Sequence, residues 1–387
     1  MRICGSSTRR NLRLSSVAGL TLVLALAALA DDGGSKRSEL SALLSAERNT
    51  GFAMAVEPRT FEFPRDHGPH PEYRNEWWYM TGNLDAADGR RFGFELTFFR
   101  FALTPEPAES DSAWRTNQVY IAHFALTDAD DQEFYVAERF SRGALGLAGA
   151  QARPLRVWID DWEIAATRAD AAAEHWRLQA NDDGVALDLE LVAGKEPVLN
   201  GIDGLSQKSA ETGNASYYYS ISRWQTEGRV RLGSEEFAVS GLSWLDREWS
   251  SSALAADQEG WDWFALQLSD GSELMFYNLR KTDGTPDVFS GGTWIPRNGD
   301  TRHISRDEIS ISATETWSSP EGGVYPSSWE IRYPESGLRL SVVPIMDDQE
   351  LFTTVRYWEG AVDVSGTRDG LEVTGRGYVE LTGYAEK

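Results

Sequence analysis

The chain has 387 residues and is strongly acidic, with 60 Asp and Glu residues, 37 Lys and Arg residues and a formal net charge of −23. This balance argues against a nucleic-acid-binding protein, because phosphate neutralisation requires clustered Lys and Arg. With 41% hydrophobic and 11% aromatic residues, the chain is too apolar to be disordered and can form two domains or one large one.

Residues 1–30 have the pattern of a secretory signal peptide. Arginines at positions 2, 9, 10 and 13 precede an apolar run over residues 17–29, and this run ends in small residues. The run is too short for a transmembrane helix, so we expect a soluble mature protein, periplasmic or secreted, without stable membrane insertion. The pair Arg9 and Arg10 fits a twin-arginine export signal, but ordinary Sec signals are also basic at this point.

Cys4 is the only cysteine and lies within the predicted signal peptide. We therefore expect a mature chain with no disulfide, no thiolate zinc site and no Cys nucleophile. The sequence also contains no Gly-x-Ser-x-Gly nucleophile elbow, no His-Glu-x-x-His motif and no phosphate-binding glycine loop. It predicts neither a cofactor nor a metal ion, and it gives no indication of a protein partner.

Residues 31–60 are predicted to be a tether, in which Leu40, Leu43 and Leu44 have the spacing of a short helix within a polar stretch. From Phe61 onward the apolar residues alternate with a period of two, which predicts antiparallel β-structure. The alternation is clearest at Phe92, Phe94, Leu96 and Phe98 and at Val185, Leu187, Leu189 and Leu191. Pairs that favour hairpin turns fall between the strand-like runs, at Asp88-Gly89, Asp183-Gly184, Asp270-Gly271, Asn298-Gly299 and Asp369-Gly370.

Two Trp-rich segments resemble each other. Trp77-Trp78-Tyr79 and Trp261-Asp262-Trp263 each precede, seven positions after the first Trp, a Leu that is followed by an Asp-Gly turn. The segments begin 184 residues apart and predict two related β-units, although any Trp-rich hairpin could share the pattern. The 15 Trp residues of the chain favour a ligand cavity or thick β-sheet cores.

Three segments are similar to the secreted AttH-like proteins, which belong to a superfamily with the carotenoid 1,2-hydratases. They are Phe-Pro-Arg-Asp-His-Gly-Pro-His-Pro-Glu-Tyr-Arg-Asn-Glu-Trp-Trp-Tyr-Met-Thr-Gly at 63–82, Gly-Leu-Ser-Trp-Leu-Asp-Arg-Glu-Trp-Ser at 241–250 and Gly-Trp-Asp-Trp-Phe at 260–264. The resemblance runs from about Phe61 to the C-terminus and implies an all-β fold of two lipocalin-like antiparallel β-barrel domains in tandem. We place these domains at residues 61–250 and 251–387. The resemblance also implies a lipophilic small molecule as ligand, with alkene hydration as the best-defined chemistry among the relatives.

The chemistry of alkene hydration indicates candidate catalytic residues. It requires a carboxylic acid that protonates carbon, an aromatic wall that faces the cation, and a water molecule. Asp246 and Glu248 are two positions apart on a predicted strand, so both point to one face together with Trp244. Burial and a like-charged neighbour would raise the pKa of Asp246, which best matches the catalytic Asp that the hydratase resemblance implies. The alternative is a structural cluster in which these carboxylates and Arg247 close a barrel through salt bridges.

The first Trp-rich segment supplies candidate ligand-binding residues. We predict that His70, Glu76, Trp77, Trp78 and Tyr79 provide polar groups and an aromatic wall at a cavity mouth. Packing of the two Trp residues in a core is the alternative. The histidine pair of this segment is not predicted to bind zinc, because Gly and Pro residues place it in a loop.

Other strands supply further candidates. His123 lies in an apolar alternating strand and is expected to contact ligand or transfer a proton, with a buried core imidazole as the alternative. Tyr218 and Arg223 belong to a strand-like run and are expected to reach the cavity. Trp261 and Trp263 are expected to line it from the second unit.

The sequence therefore predicts a periplasmic, all-β, lipocalin-like protein that binds an elongated apolar or amphiphilic molecule in or between its barrels. The alternative is a hydratase-like lyase, or a hydrolase, that acts on an isoprenoid or lipid with Asp246 as general acid.

Overall fold

The computed structural model describes residues 51–385 except 107, 108, 110, 169–172 and 253. The predicted signal peptide and residues 31–50 of the predicted tether lie outside the described residues. The described chain forms 23 β-strands and three short 3-10 helices, at Arg65–His67, Arg306–Glu308 and Pro334–Ser336. No helix in these residues has the length and apolar character that a membrane crossing requires. The prediction of an all-β fold is confirmed.

The first sheet contains thirteen strands. They are β1 Asn75–Ala86, β2 Arg91–Ala102, β3 Gln118–Asp128, β4 Glu133–Arg142, β5 Ala148–Ala152, β6 Leu155–Ile159, β7 Trp162–Ala166, β8 His175–Asp182, β9 Val185–Ala193, β10 Val198–Leu199, β11 Leu205–Gln207, β12 Ala215–Leu232 and β13 Glu235–Ser250. The strand order is β4-β3-β2-β1-β13-β12-β9-β8-β7-β6-β5, and β10 and β11 pair with β12.

The second sheet contains the remaining ten strands. They are β14 Gln258–Leu268, β15 Glu273–Lys281, β16 Gly291–Ile295, β17 Arg302–Ser305, β18 Ser310–Ser318, β19 Val324–Tyr333, β20 Leu338–Pro344, β21 Glu350–Phe352, β22 Arg356–Arg368 and β23 Leu371–Thr382. The strand order is β17-β16-β15-β14-β23-β22-β20-β19-β18, and β21 pairs with β22.

Each sheet curls into a barrel-like domain. In the first sheet the edge strand β4 contacts β7 and β8. Arg139 of β4 donates to the Asn181 carbonyl of β8 at 3.1 Å, and its guanidinium lies 4.5 Å from the ring centroid of Trp162 in β7. The strands that carry the two Trp-rich segments, β1 and β14, occupy equivalent places in the two sheets. Each pairs with the following strand and with the last strand of its own sheet. We call the two domains the first and the second barrel.

Side-chain alternation gives β1 and β14 two apolar faces. Trp78 and Met80 point into the core of the first barrel, and Phe264 points into the core of the second. Tyr79 and Trp263 point outward from their own barrels and meet each other, with ring centroids 5.0 Å apart in an edge-to-face arrangement. The two barrels therefore pack through the outer faces of the strands that the repeat identified.

The barrels come close together at Gly93 of β2. A Cβ atom on Gly93 would lie 2.6 Å from the Cβ of Ala361 in β22, so a side chain at this position would push the barrels apart. Beside this contact, Arg91 Nη2 lies 2.8 Å from Asp363 Oδ1 across the same interface. The close approach at Gly93 and the ion pair of Arg91 both lie in the interface between the barrels.

Residues 51–60, the last part of the predicted tether, lie against the first barrel. The Ala53 amide donates to the Glu72 carbonyl at 3.0 Å, and the Tyr217 hydroxyl donates to the Glu57 carbonyl at 2.8 Å. This last part of the predicted tether is therefore hydrogen-bonded to the first barrel.

Candidate functional site

A cavity lies between the two barrels. It contains about 1100 Å³ of atom-free space, its opening to solvent included. Its apolar and aromatic lining consists of Trp77, Tyr79, Phe99, Phe101, Ile121, Tyr218, Leu254, Trp261, Trp263, Tyr277, Leu279, Val355 and Tyr357. Its other lining residues are His123, Glu138, Lys208, Asp246, Glu248, Thr354, Glu359 and Glu380. The sequence left open whether a ligand would lie in or between the barrels, and this cavity lies between them.

Strand register places polar wall residues of the first barrel in one row. Residues directly opposite each other in antiparallel strands share a face of the sheet, and successive pairings connect β12, β13, β1, β2, β3 and β4 at one level. The row consists of Ser220, Asp246, Tyr79, Thr97, His123 and Glu138. With adjacent strands about 4.8 Å apart, the backbones at Asp246 and His123 are separated by roughly 14 Å. These two residues therefore mark two different polar regions of one cavity.

Asp246 is buried, and the hydrogen-bond donors that the structure shows around it are neutral. The Tyr218 hydroxyl donates to Oδ2 at 2.6 Å, Trp244 Nε1 donates to Oδ1 at 2.8 Å, and the Ser220 hydroxyl also donates to Oδ1. Burial raises the pKa of Asp246 to about 7, and the charge of Glu248 adds a smaller rise. The proton belongs on Oδ2, since Oδ1 already accepts two hydrogen bonds. Asp246 is thus a carboxyl that can hold and release a proton near neutral pH beside an aromatic wall.

Glu248 follows two positions later and is ion-paired. Lys208 Nζ lies 3.1 Å from Glu248 Oε1, and the Ser216 hydroxyl donates to the same oxygen. Burial alone would lower the pKa of Lys208, but the charge of Glu248 and that of ionisable Tyr277 give a net rise, so the ammonium stays charged. The ammonium also lies 4.3 Å from the Tyr277 ring centroid. Glu248 is therefore held in an ion pair, whereas the hydrogen-bond donors around Asp246 are neutral.

His123 connects the two barrels at the other polar region. Its Nε2 lies 3.0 Å from Glu138 Oε1, and its Nδ1 lies 2.7 Å from the Tyr357 hydroxyl. The Thr354 amide and hydroxyl donate to Glu138, each at 2.9 Å. Burial would raise the pKa of Glu138, but the hydrogen bonds from His123 and Thr354 hold it below its usual value. The ionised Glu138 can only accept, so Nε2 of His123 donates to it, and in a ring that carries one proton Nδ1 then accepts from the Tyr357 hydroxyl.

Two further carboxyls enter the cavity wall from the second barrel. The Tyr79 hydroxyl donates to Glu359, whose pKa is raised well above its usual value by burial and by the charges of Glu380 and Glu95. Burial also raises the pKa of Glu380 to about 7. Glu359 is therefore protonated at neutral pH and Glu380 is about half protonated, so the wall is less charged than its composition suggests. Within the described residues, no group of three or more His, Cys, Asp or Glu side chains could hold a metal ion.

Most of the predicted site residues meet at this cavity. Those that line it are Trp77, Tyr79, His123, Tyr218, Asp246, Glu248, Trp261 and Trp263. Trp244 lies on the same face, as its alternation with Asp246 predicted, and acts as a hydrogen-bond donor to that carboxyl. The repeat and the period-two alternation thus identified one connected surface made by both barrels.

His70, Glu76 and Trp78 do not line the cavity, which corrects their predicted position at its mouth. Glu76 and Trp78 lie on the opposite face of β1 from Trp77 and Tyr79, and His70 hydrogen-bonds to Glu76 through its backbone amide at 3.1 Å. Arg100 and Arg247 both contact the Glu76 carboxylate inside the first barrel.

The charges in this cluster are mutually satisfied. Burial alone would raise the pKa of Glu76, but the charges of Arg100 and Arg247 hold it far below its usual range. The Arg247 guanidinium also lies 3.9 Å from the Trp78 ring centroid. Arg247 therefore anchors Glu76 and Trp78, and the alternative in which it pairs with Asp246 is not what the structure shows.

Arg223 also lies outside the cavity lining. Its Nε donates to Glu273 Oε1 at 2.6 Å, and its Nη2 donates to the Leu268 carbonyl at 3.2 Å. The register of β12 against β13 shifts between Ile221 and Trp224, so the cavity-facing alternation of this strand ends before Arg223. Arg223 connects the first barrel to the second and does not reach the cavity, which corrects its predicted position.

Sequence reasoning missed several wall residues. Phe99 and Phe101 lie on the face of β2 opposite to Phe92, Phe94, Leu96 and Phe98, and two large aromatic residues on that second face near the end of the strand were the signal that could have found them. Lys208, Tyr357 and Glu380 have no such signal, because they reach the cavity only through the packing of one barrel on the other.

Comparisons with known proteins identify relatives of this architecture. The AttH-like family model matches residues 54–384. The crystal structure of an AttH protein from Nitrosomonas europaea is 35% identical in sequence and has a TM-score of 0.76, covering 86% of this chain and 100% of that chain. Kievitone hydratase from Nectria haematococca is 17% identical with a TM-score of 0.65, covering 88% of this chain and 98% of that chain, a likeness of fold. No curated protein matches this chain significantly.

Proposed function

This chain belongs to the AttH-like family, and from that premise we propose that it binds an elongated lipophilic small molecule in the cavity between its barrels. The observation that carries the proposal is the cavity itself, whose aromatic and aliphatic walls come from both barrels. Concave, mostly apolar sites with a few polar groups are typical of small-molecule binding. The barrel interiors are filled by their own cores, which include Trp78 and Trp176 in the first barrel and Trp329 and Trp358 in the second.

Binding is tested with the mature protein purified from its native host. Organic extraction followed by mass spectrometry should recover a lipophilic molecule, and a brominated fatty acid should quench Trp fluorescence. Replacing Trp77 by Ala should weaken binding by roughly 1–3 kcal/mol if the ring contacts ligand. Trp114 is 60% exposed and does not line the cavity, so Trp114→Ala is the matched control. Equal affinities of the two folded variants would contradict the proposal.

A second candidate function is hydration of an alkene in the bound molecule. The buried carboxyl of Asp246, its neutral hydrogen-bond donors and its pKa of about 7 favour this chemistry. Asp246 Oδ2 transfers its proton to one alkene carbon, and the cation forms on the other carbon, facing Trp263 and Tyr277. Water then adds its oxygen to the cation, and a water proton returns to Asp246. The net reaction adds one water molecule to the alkene.

Hydration is tested with isoprenoid and fatty alkenes in water labelled with oxygen-18. Wild-type protein should give an alcohol that carries the label, and Asp246→Asn should lose most of this turnover while it still binds the alkene. Glu248→Gln is the matched control, because it also neutralises a carboxyl on the same face. Turnover that survives in Asp246→Asn would remove Asp246 from the mechanism, and ligand binding without turnover in wild type would leave a binding protein.

The predicted signal peptide supports a location in the periplasm or outside the cell. Cell fractionation and N-terminal sequencing should find a mature chain that begins near Asp31. A cytoplasmic protein that retains Arg9 and Arg10 would overturn this proposal.

A further inference from the structure

The binding and hydration proposals do not use the chain of hydrogen bonds through Glu138, His123 and Tyr357. This chain is built from both barrels: Glu138 and His123 belong to β4 and β3, while Tyr357 belongs to β22. His123 is 3% exposed and Tyr357 is 5% exposed, and all three residues line the cavity. A core imidazole would be satisfied by its own barrel, whereas this one is shared across the cavity wall.

The directions of these hydrogen bonds leave one acceptor position free, on the oxygen of Tyr357. Both nitrogens of His123 are used, Nε2 by Glu138 and Nδ1 by Tyr357. With one proton on the ring, held at Nε2 by Glu138, the Tyr357 hydroxyl donates to Nδ1 and its oxygen can still accept a hydrogen bond. The cavity therefore offers an acceptor at this place, fixed by a histidine whose tautomer Glu138 sets. An acceptor of this kind recognises a donor, such as the hydroxyl group of a ligand.

Distance separates this acceptor from the chemistry at Asp246. The two polar regions lie three strands apart, with roughly 14 Å between the backbones at Asp246 and His123. A base that activates water for attack must lie within hydrogen-bond reach of that water, and the water must be close to the protonated alkene. His123 and Tyr357 therefore act on a different part of the molecule from the part that faces Asp246.

We infer that Tyr357, positioned by His123 and Glu138, is a recognition site for a hydroxyl group at the end of the ligand remote from Asp246. The ligand is then an elongated amphiphile with an apolar body, one hydroxyl at the Tyr357 end and its remaining chain directed toward Asp246. This inference rests on the proposed binding function and specifies the ligand class. Tyr357 is the contacting residue, and His123 and Glu138 are positioning residues.

The test compares the affinities of farnesol and its methyl ether by isothermal titration. The ether keeps the apolar body and the oxygen but lacks the donated proton. Wild-type protein should prefer the alcohol by about 2- to 10-fold, the range expected for one neutral hydrogen bond. Tyr357→Phe should remove this preference and leave the affinity for the ether nearly unchanged. The control is Tyr333→Phe, a tyrosine in the core of the second barrel that does not line the cavity, which should keep the preference.

The outcomes separate this inference from the proposed function. Binding of both probes without preference in wild type, or a preference that persists in folded Tyr357→Phe, overturns the hydroxyl site alone. Failure of both probes to bind overturns the lipophile-binding proposal together with it. If Tyr357→Phe does not fold, Glu138→Gln replaces it, because loss of the carboxylate frees the His123 tautomer and should reduce the preference. An unchanged preference in folded Glu138→Gln overturns the positioning role of Glu138 and His123.

Discussion

Replacing Asp246 by Asn should stabilise the protein at alkaline pH. An unperturbed aspartate has a pKa of about 3.9, whereas the pKa of Asp246 in the folded protein is about 7. Ionising this side chain in the folded state above pH 7 therefore costs up to about 4 kcal/mol more than ionising it in the unfolded chain. Asn keeps the shape of the side chain and cannot ionise, so it avoids this cost.

The sign of the effect follows from proton binding. A carboxyl whose pKa is raised by folding binds its proton more tightly in the folded state, so wild-type stability falls as the pH rises from about 4 to about 7. Above pH 7 the loss is complete. One lost hydrogen bond reduces this gain in stability. In the variant the Tyr218 hydroxyl would face the Asn amide group, which is a donor, so the hydroxyl must rotate at a cost of about 1 kcal/mol. We expect Asp246→Asn to be slightly destabilised near pH 4 and stabilised by roughly 2–3 kcal/mol near pH 8.

Urea unfolding at several pH values measures this difference directly. Glu248→Gln is the matched control, since it leaves the Lys208 ammonium buried without its partner and should lower stability at neutral pH. The titration of Glu380 is common to wild type and variant and largely cancels in the comparison. A loss of stability in Asp246→Asn that is equal at low and high pH would refute the reasoning, because it would identify Asp246 as an ionised structural anchor.

Three other substitutions test the placement of residues away from the cavity. Trp78→Ala should cost about 3–5 kcal/mol in unfolding free energy, because Trp78 lies in the core of the first barrel; a smaller loss accompanied by weaker ligand binding would return it to the cavity wall. Glu76→Gln should destabilise by about 3–5 kcal/mol in urea unfolding, since Arg100 and Arg247 lose their buried counter-ion; a change below about 1 kcal/mol would contradict this. Gly93→Ala should lower thermal stability by about 1–3 kcal/mol through its clash with Ala361, and an unchanged melting temperature would show that the interface yields freely.

Alternation and turn residues were sufficient to predict the strands, and they also predicted that Trp244, Asp246 and Glu248 share a face. They could not tell which face of β1 meets the cavity, because both faces carry large aromatic residues: Trp78 packs in the core and Trp77 lines the cavity. A period of two separates the two faces of a strand, but it does not show which face packs in the core and which lines the cavity. The assignment depends on the second barrel, which covers one face.

The partners of charged residues were also beyond prediction from the sequence. The adjacent positions Asp246, Arg247 and Glu248 suggested a local ion cluster. Strand pleating instead places Arg247 on the opposite face, where it pairs with Glu76, and Glu248 pairs with Lys208, forty positions earlier in the chain. A sequence records which charges are adjacent along the chain. Pairing across strands and loops decides which of them neutralise each other, and so which carboxyl, here Asp246, is left to hold a proton.

Because its walls come from the outer faces of two barrels, the cavity depends on how the barrels associate. Trp263 of the second barrel donates to the Tyr218 hydroxyl at 3.0 Å, and that hydroxyl donates to Asp246. His123 and Tyr357 are joined across the same interface. A ligand that contacts both barrels binds the associated state, so its binding free energy also stabilises the interface, by about 2.7 kcal/mol at one hundred times its Kd. Ligand affinity and domain association are therefore linked, and a change at the interface remote from the cavity should alter both together.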